Sequence, residues 1–157
     1  MTGKIIVRQA TSTDIVAIAE FNQAMALETE DKVLTTATIE AGVTRMIEQP
    51  ALGFYLVAEV KIDNKTTEVC GCLGITYEWS DWRNGLFWWI QSVFIQKSHR
   101  RKGVFGKLYE HVTSLAQEQQ EVCGIRLYVE RDNINAQKTY HALGMVETDY
   151  NLLEVEF

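Results

Sequence analysis

Between Phe87 and Val129 the chain reads as strand, loop, helix, strand, and no other stretch limits the possible folds as much. Phe87 to Ile95 is an apolar run of buried-strand length. Val104, Leu108, Val112 and Leu115 recur at helical spacing, and Ile125, Leu127 and Val129 alternate as a further strand. Two strands joined through a helix run parallel in one sheet. The joint between the first strand and the helix is Arg100-Arg101-Lys102-Gly103-Val104-Phe105-Gly106. The opening amides of a helix lack internal partners and carry the positive end of its dipole. Glycine lets an anion come close to that backbone. The joint is therefore a cradle for phosphate, and it lies at the C-terminal strand end, where ligands of such sheets sit.

The remaining elements fit around this unit. Lys4 to Arg8 reads as a first strand. Thr11 and Asp14 resemble a capping box ahead of an amphipathic helix marked by Ile15, Ile18, Ala19 and Met25, which the acidic cluster Glu28, Glu30 and Asp31 ends in a loop. Ile39, Val43, Met46 and Ile47 mark a second helix, closed by Pro50. Phe54 to Ile62 and Glu68 to Trp79 are strands about an Asp63-Asn64-Lys65 turn, and Trp82 to Gly85 is a polar turn. A fourth helix carries Ala136, Tyr140 and Leu143 and stops at Gly144, and Met145 to Phe157 supplies one or two closing strands. The order β-α-α-β-β-β-α-β-α-β(β) is an α/β (α+β) fold: a mixed sheet of six or seven strands with about four helices, in one domain of residues 1–157.

Charge narrows the ligand. The net charge is −6, which argues against a nucleic-acid surface, yet Lys97, Arg100, Arg101, Lys102 and Lys107 concentrate five of 15 cationic residues in one window. A local cation cluster on an acidic chain suits a small anionic ligand. No apolar span has membrane length and the N-terminus has no signal-peptide pattern, so a cytoplasmic protein is expected, without membrane contact. Cys70, Cys72 and Cys123 form a poor metal pattern and are expected to be structural thiols, with no metal bound.

The joint lacks the spacing of a nucleotide-triphosphate loop and of a dinucleotide fingerprint. It resembles the pyrophosphate loop of the GNAT N-acetyltransferase superfamily, Arg/Gln-x-x-Gly-x-Gly/Ala. Arg100 and Gly103 occupy the first two signature positions. Phe105 stands where the second small residue is usual, and Gly106 follows one later. Asn133 to Met145 resembles the family's second motif, Asn-x-x-Ala-x-x-x-Tyr-x-x-x-Gly-Phe, and the element order agrees across nearly the whole chain.

The resemblance implies acetyl-CoA as the donor, with its pyrophosphate on the amides of Arg101, Lys102, Gly103, Val104, Phe105 and Gly106, and with Arg100 also among the cofactor-binding residues. Its pantetheine arm would add to the open edge of the Phe87 strand near Val93, Phe94 and Ile95. Only the backbone of that strand is implicated; its side chains read as core. Asn133 either bonds the pantetheine or caps its helix. Tyr140 is the implied acid that protonates the departing thiolate, a role suited to a phenol that keeps its proton at neutral pH. Many relatives place a basic glutamate on the strand that here reads Trp88-Trp89-Ile90-Gln91-Ser92. Glu78 is the nearest substitute, Asp81 another, and water ordered by Gln91 a third.

All four tryptophans lie in or beside the Tyr77–Trp89 hairpin, and aromatic faces with acidic neighbours suit a cationic amine. Trp79, Asp81, Trp88 and Gln91 are the candidate acceptor contacts, although the tryptophans equally suit core or dimer packing. The hairpin is similar to that of diamine and polyamine acetyltransferases, but Gln91-Ser92 replaces their acidic pair. The expected activity is acetyl transfer to a primary amine of a small molecule. A non-catalytic acyl-CoA sensor and a protein or peptide acetyltransferase are the alternatives. A homodimer is compatible with the resemblance.

Overall fold

A computed structural model describes residues 3–157. Two compact units divide the chain, one ending at Leu127 and one spanning Tyr128–Phe157.

The larger unit contains β1 (Ile5–Gln9), α1 (Ile15–Glu30), α2 (Thr36–Glu48), β2 (Gly53–Lys61), β3 (Thr67–Ser80), β4 (Gly85–Ile95), α3 (Val104–Glu118) and β5 (Val122–Leu127). Their sheet runs β1-β2-β3-β4-β5. The first four strands are antiparallel neighbours, and β5 lies parallel to β4. The parallel pair is the one the strand–helix–strand reading requires.

Strand alternation sends side chains to two cores, one on each sheet face. Leu56, Ala58, Leu73, Ile75, Trp88 and Ile90 meet the stripe Val104, Leu108, Val112 and Ala116 of α3. Tyr55, Val57, Cys72 and Phe94 meet Ile18 and Phe21 of α1 and Val43 of α2. The start of α1 is locked by charge. The Thr11 amide donates to Asp14 Oδ2 at 2.8 Å, and both Arg8 Nη groups donate to the same carboxylate at 2.8 and 2.9 Å. Burial alone would raise the Asp14 carboxyl; the Arg8 fork and the Thr11 amide overcome it and hold it below the ordinary carboxylate range.

The smaller unit holds α4 (Ile134–Ala142), which Asn133 caps through its side-chain oxygen and Gly144 follows at φ 90°. The chain departs from the sequence expectation in three places. Met145–Phe157 forms no strand, so the sheet has five strands among the described residues rather than six or seven. A strand needs a neighbour for its backbone groups, and alternation alone supplies none; Leu153 and Val155 are exposed. β5 ends at Leu127, leaving Val129 outside it. Glu28 and Glu30 belong to α1, which ends only where Asp31 turns left-handed at φ 50°. Among the described residues no helix is long and apolar enough to cross a membrane.

Candidate active site

The loop between β4 and α3 is built from two left-handed residues, Arg101 at φ 61° and Gly103 at φ 82°. Gly103 is the N-cap of α3 and no side chain caps it. The first helical bond recorded from there runs from the Lys107 amide to the Gly103 carbonyl at 3.1 Å, so the amides of Val104, Phe105 and Gly106 precede it. Such a turn concentrates N–H groups into an anion-binding nest, and Arg101 and Lys102 stand exposed beside it. These features suit a pyrophosphate. Gly106 faces open space, whereas the Phe105 ring lies 6.0 Å from the Tyr109 ring. Arg100 is committed elsewhere. Its Nε donates to the Ile95 carbonyl at 2.9 Å, its two Nη groups donate to Glu28 at 2.6 and 2.9 Å, and its guanidinium stacks 5.4 Å from the Phe94 ring.

Upstream of the loop the sheet forks. Pairing of β4 with β5 stops at Ile90↔Leu127, and Gln91–Ile95 has no β5 partner. Its other edge stays paired to β3 through Gly71↔Ile95 and Cys72↔Phe94. A bulge sits at the fork: the β3–β4 register shifts between Cys72 and Gly74, and Ser92 is left-handed at φ 53°. Bulges bend a strand and re-aim its groups. Val93 and Ile95 pack on the α3-side core and Phe94 on the other.

Thr76 pairs with Trp89, which pairs with Arg126, forming one cross-strand row below the fork. Gln91 Nε2 donates to Thr76 Oγ1 at 2.7 Å. Arg126 Nη1 donates to Glu78 Oε1, and its guanidinium stacks 3.6 Å from the Phe87 ring centroid. Glu78, Gln91, Phe87 and Arg126 thus share one sheet face by strand alternation. Trp88 faces the other way, is 7% exposed and packs edge-on against Phe54. Trp79 is 58% exposed, and Asp81 accepts from the Trp82 amide at 2.9 Å at the hairpin tip. Sequence reasoning missed Arg126, whose signal was its place between inward-facing Ile125 and Leu127.

In the smaller unit, Asn133 Oδ1 accepts from the Ala136 amide at 3.2 Å. Tyr140 is partly buried, and burial raises its phenol above the ordinary tyrosine value. Among the described residues no cluster of three or more His, Cys, Asp or Glu is arranged to hold a metal ion.

Residues 18–145 match the Acetyltransferase (GNAT) family. The chain belongs to that family. No curated protein matches it. A possible acetyltransferase from Clostridium difficile 630 is 42% identical, with 98% of this chain and 97% of that one covered at a TM-score of 0.88. A predicted acetyltransferase from Clostridium acetobutylicum, solved with acetyl-CoA, shares 16% identity over 98% of this chain and 96% of its own (TM-score 0.76). Glucosamine-6-phosphate N-acetyltransferase from Arabidopsis thaliana shares 14% over 97% and 98% (TM-score 0.71). The last two likenesses show the GNAT fold alone. GNAT acetyltransferases use acetyl-CoA, and the α+β fold of this chain is the GNAT fold.

Proposed function

We propose that this GNAT protein moves an acetyl group from acetyl-CoA directly to a primary amine of a small molecule, in a ternary complex. The observation that carries this reading is the fork. Beyond Ile90↔Leu127 the β4 edge has no β5 partner, and the same strand leads into the exposed nest that opens α3. An extended ligand with amides can join that edge while its pyrophosphate meets the nest.

In this account the backbone of Val93–Ile95 pairs with the pantetheine amides, and the amides of Arg101–Gly106 hold the pyrophosphate. The neutral amine attacks the acetyl carbonyl, the carbon–sulfur bond breaks, and Tyr140 gives its proton to the leaving thiolate. The raised phenol supports that role because the proton is held at neutral pH. The amine's proton passes to Glu78, whose Oε2 is not engaged by Arg126, with Gln91 and Thr76 ordering the intervening water.

Coenzyme A binding by calorimetry, followed by free-thiol release with amines, amino acids, aminoglycosides and peptides, tests the reading. Binding with thiol release on at least one amine is expected, and Tyr140→Phe should slow turnover at neutral pH. Turnover by Tyr140→Phe equal to that of the unaltered protein at neutral and high pH alike would remove the acid role. A second reading, an acyl-CoA sensor, is favoured by one feature: β4 offers Gln91 and Ser92 where many relatives carry a glutamate. That reading predicts binding and no thiol release.

A further inference from the structure

We infer that Arg126 binds the acceptor, and that the acceptor is an amine carrying its own anionic group, a carboxylate or a phosphate. The inference rests on the acetyl-transfer reading for what the bound amine undergoes.

Arg126 lies on β5 opposite Trp89, one residue before the last β4–β5 pair, Ile90↔Leu127. At about 3.3 Å per residue, it stands beside the mouth of the fork. Its position is built. The guanidinium lies over Phe87, and the Phe87 ring lies so close to Gly124 that an added Cβ there would meet it at 2.6 Å. Glycine at 124 is what lets the ring lie against β5, and the ring in turn forms the platform for Arg126. Glu78 then fixes the rotation of the fork through one bond, from Nη1 to Oε1.

An arginine side chain has five N–H donors. Among the described residues Arg126 spends one on Glu78 and makes no other recorded hydrogen bond, yet its side chain is only 26% exposed. A flat, oriented and mostly sheltered guanidinium with spare donors matches a carboxylate or phosphate, which it can engage with two parallel bonds. Arg83 adds to the same field, its guanidinium 5.0 Å from the Phe87 ring. Asp81, on the same hairpin as Glu78, is turned onto the Trp82 amide. A polyamine fits this face badly, because Arg126 both repels a second ammonium and occupies Glu78. An amine beside an anion fits it well: the anion takes the free edge of Arg126, and the nitrogen lies on the Glu78 and Gln91 side.

The test uses two matched pairs: an amino acid with its decarboxylated amine, and an amino-sugar phosphate with the unphosphorylated amino sugar. Each is measured with full-length protein holding coenzyme A, by ligand-observed NMR for binding, and with acetyl-CoA by thiol release. In one or both pairs the anionic member should bind about tenfold or more tightly, and the pair that responds identifies the anion as carboxylate or phosphate. Arg126→Met should remove that preference. Arg126→Lys, which keeps the charge without the fork, should keep part of it and guards against a misfolded Met variant. If the neutral members bind as well as the anionic ones, or if Arg126→Met weakens both members equally, the inference is wrong. Thiol release reports separately on the parent reading. An anionic preference lost in Arg126→Met but without thiol release from any compound sinks acetyl transfer and leaves the binding role of Arg126 standing.

Discussion

Arg100 and Glu28, 72 residues apart, form a two-bond ion pair at 2.6 and 2.9 Å that ties the loop before α3 to the last turns of α1. With its Nε on the Ile95 carbonyl, the first residue of the loop signature is an anchor for the loop, and its charge is already matched. Arg101 and Lys102 are exposed beside the nest, and in the proposed reading they face the pyrophosphate.

Removing this anchor should loosen the loop more than it destabilises the protein. The pair is about one-third exposed on both sides, so its loss should cost less than about 1 kcal/mol of stability. Glu28→Gln and Arg100→Gln should each raise the KM for acetyl-CoA severalfold with kcat little changed. The Arg100 hydrogen bond holds the Glu28 carboxyl below its ordinary range. The pair's contribution is therefore constant at neutral pH and is lost only as pH falls through that depressed value. A kcat loss with unchanged KM would contradict the anchoring role.

The two loop glycines should respond in opposite directions. Gly103→Ala forces a side chain into left-handed backbone at φ 82°, at a cost of about 1–2 kcal/mol, although nothing lies within 4 Å of the new methyl. Gly106→Ala lies in the first turn of α3, again with open space around it, and should gain about 0.5–1 kcal/mol. Both should weaken coenzyme A binding in calorimetry. Unchanged affinity in Gly106→Ala would remove that amide from the cofactor contacts.

Acid sensitivity should centre on Asp14. Its carboxyl is depressed in the folded chain, so it contributes stability above the ordinary carboxylate pKa of about 3.9, and the contribution fades as pH falls toward the lower folded value. Asp14→Asn should lose about 2 kcal/mol at pH 7 and show a flatter stability profile between pH 5 and 2 on urea denaturation. An unchanged slope would place the acid-labile group elsewhere.

Thiol chemistry should be confined to one position. Burial pushes the Cys72 thiol up to about 12 and the Cys70 thiol up to about 11, and both are buried, whereas Cys123 is exposed. Because the thiolate is the reactive form, a thiol reagent should label Cys123 alone in folded protein and all three cysteines in denaturant. Cys123→Ser should abolish the fast phase.

Much of the fold was legible because it depends on local pattern. The Val104–Leu108–Val112 stripe is fully buried, as its spacing predicts, and the Asp63-Asn64-Lys65 turn forms through Asp63 Oδ1, which accepts from the amides of Lys65 and Thr66 at 2.7 Å. Contacts between distant residues were not legible. Nothing near Glu28 announces Arg100, and nothing near Glu78 announces Arg126. The bulge at Ser92 was hidden for a similar reason, since serine carries no signal for φ 53°. Trp88 read as an acceptor contact because aromatic composition does not say which sheet face a side chain takes; register with Tyr77 puts it in the core. The C-terminal alternation misled in the other direction, since a two-residue period is necessary for a strand and insufficient without a neighbour.

The central claim is direct acetyl transfer from acetyl-CoA to an amine, and isotope tracing tests it most directly. Acetyl-CoA labelled in the acetyl carbon is incubated with the protein and the amine that gives the most thiol. The account predicts that the label appears on the amine nitrogen as an amide, in step with thiol release, with no label on the protein in intact-mass spectra. Label accumulating on the protein, or remaining on coenzyme A while the amine is untouched, would contradict it.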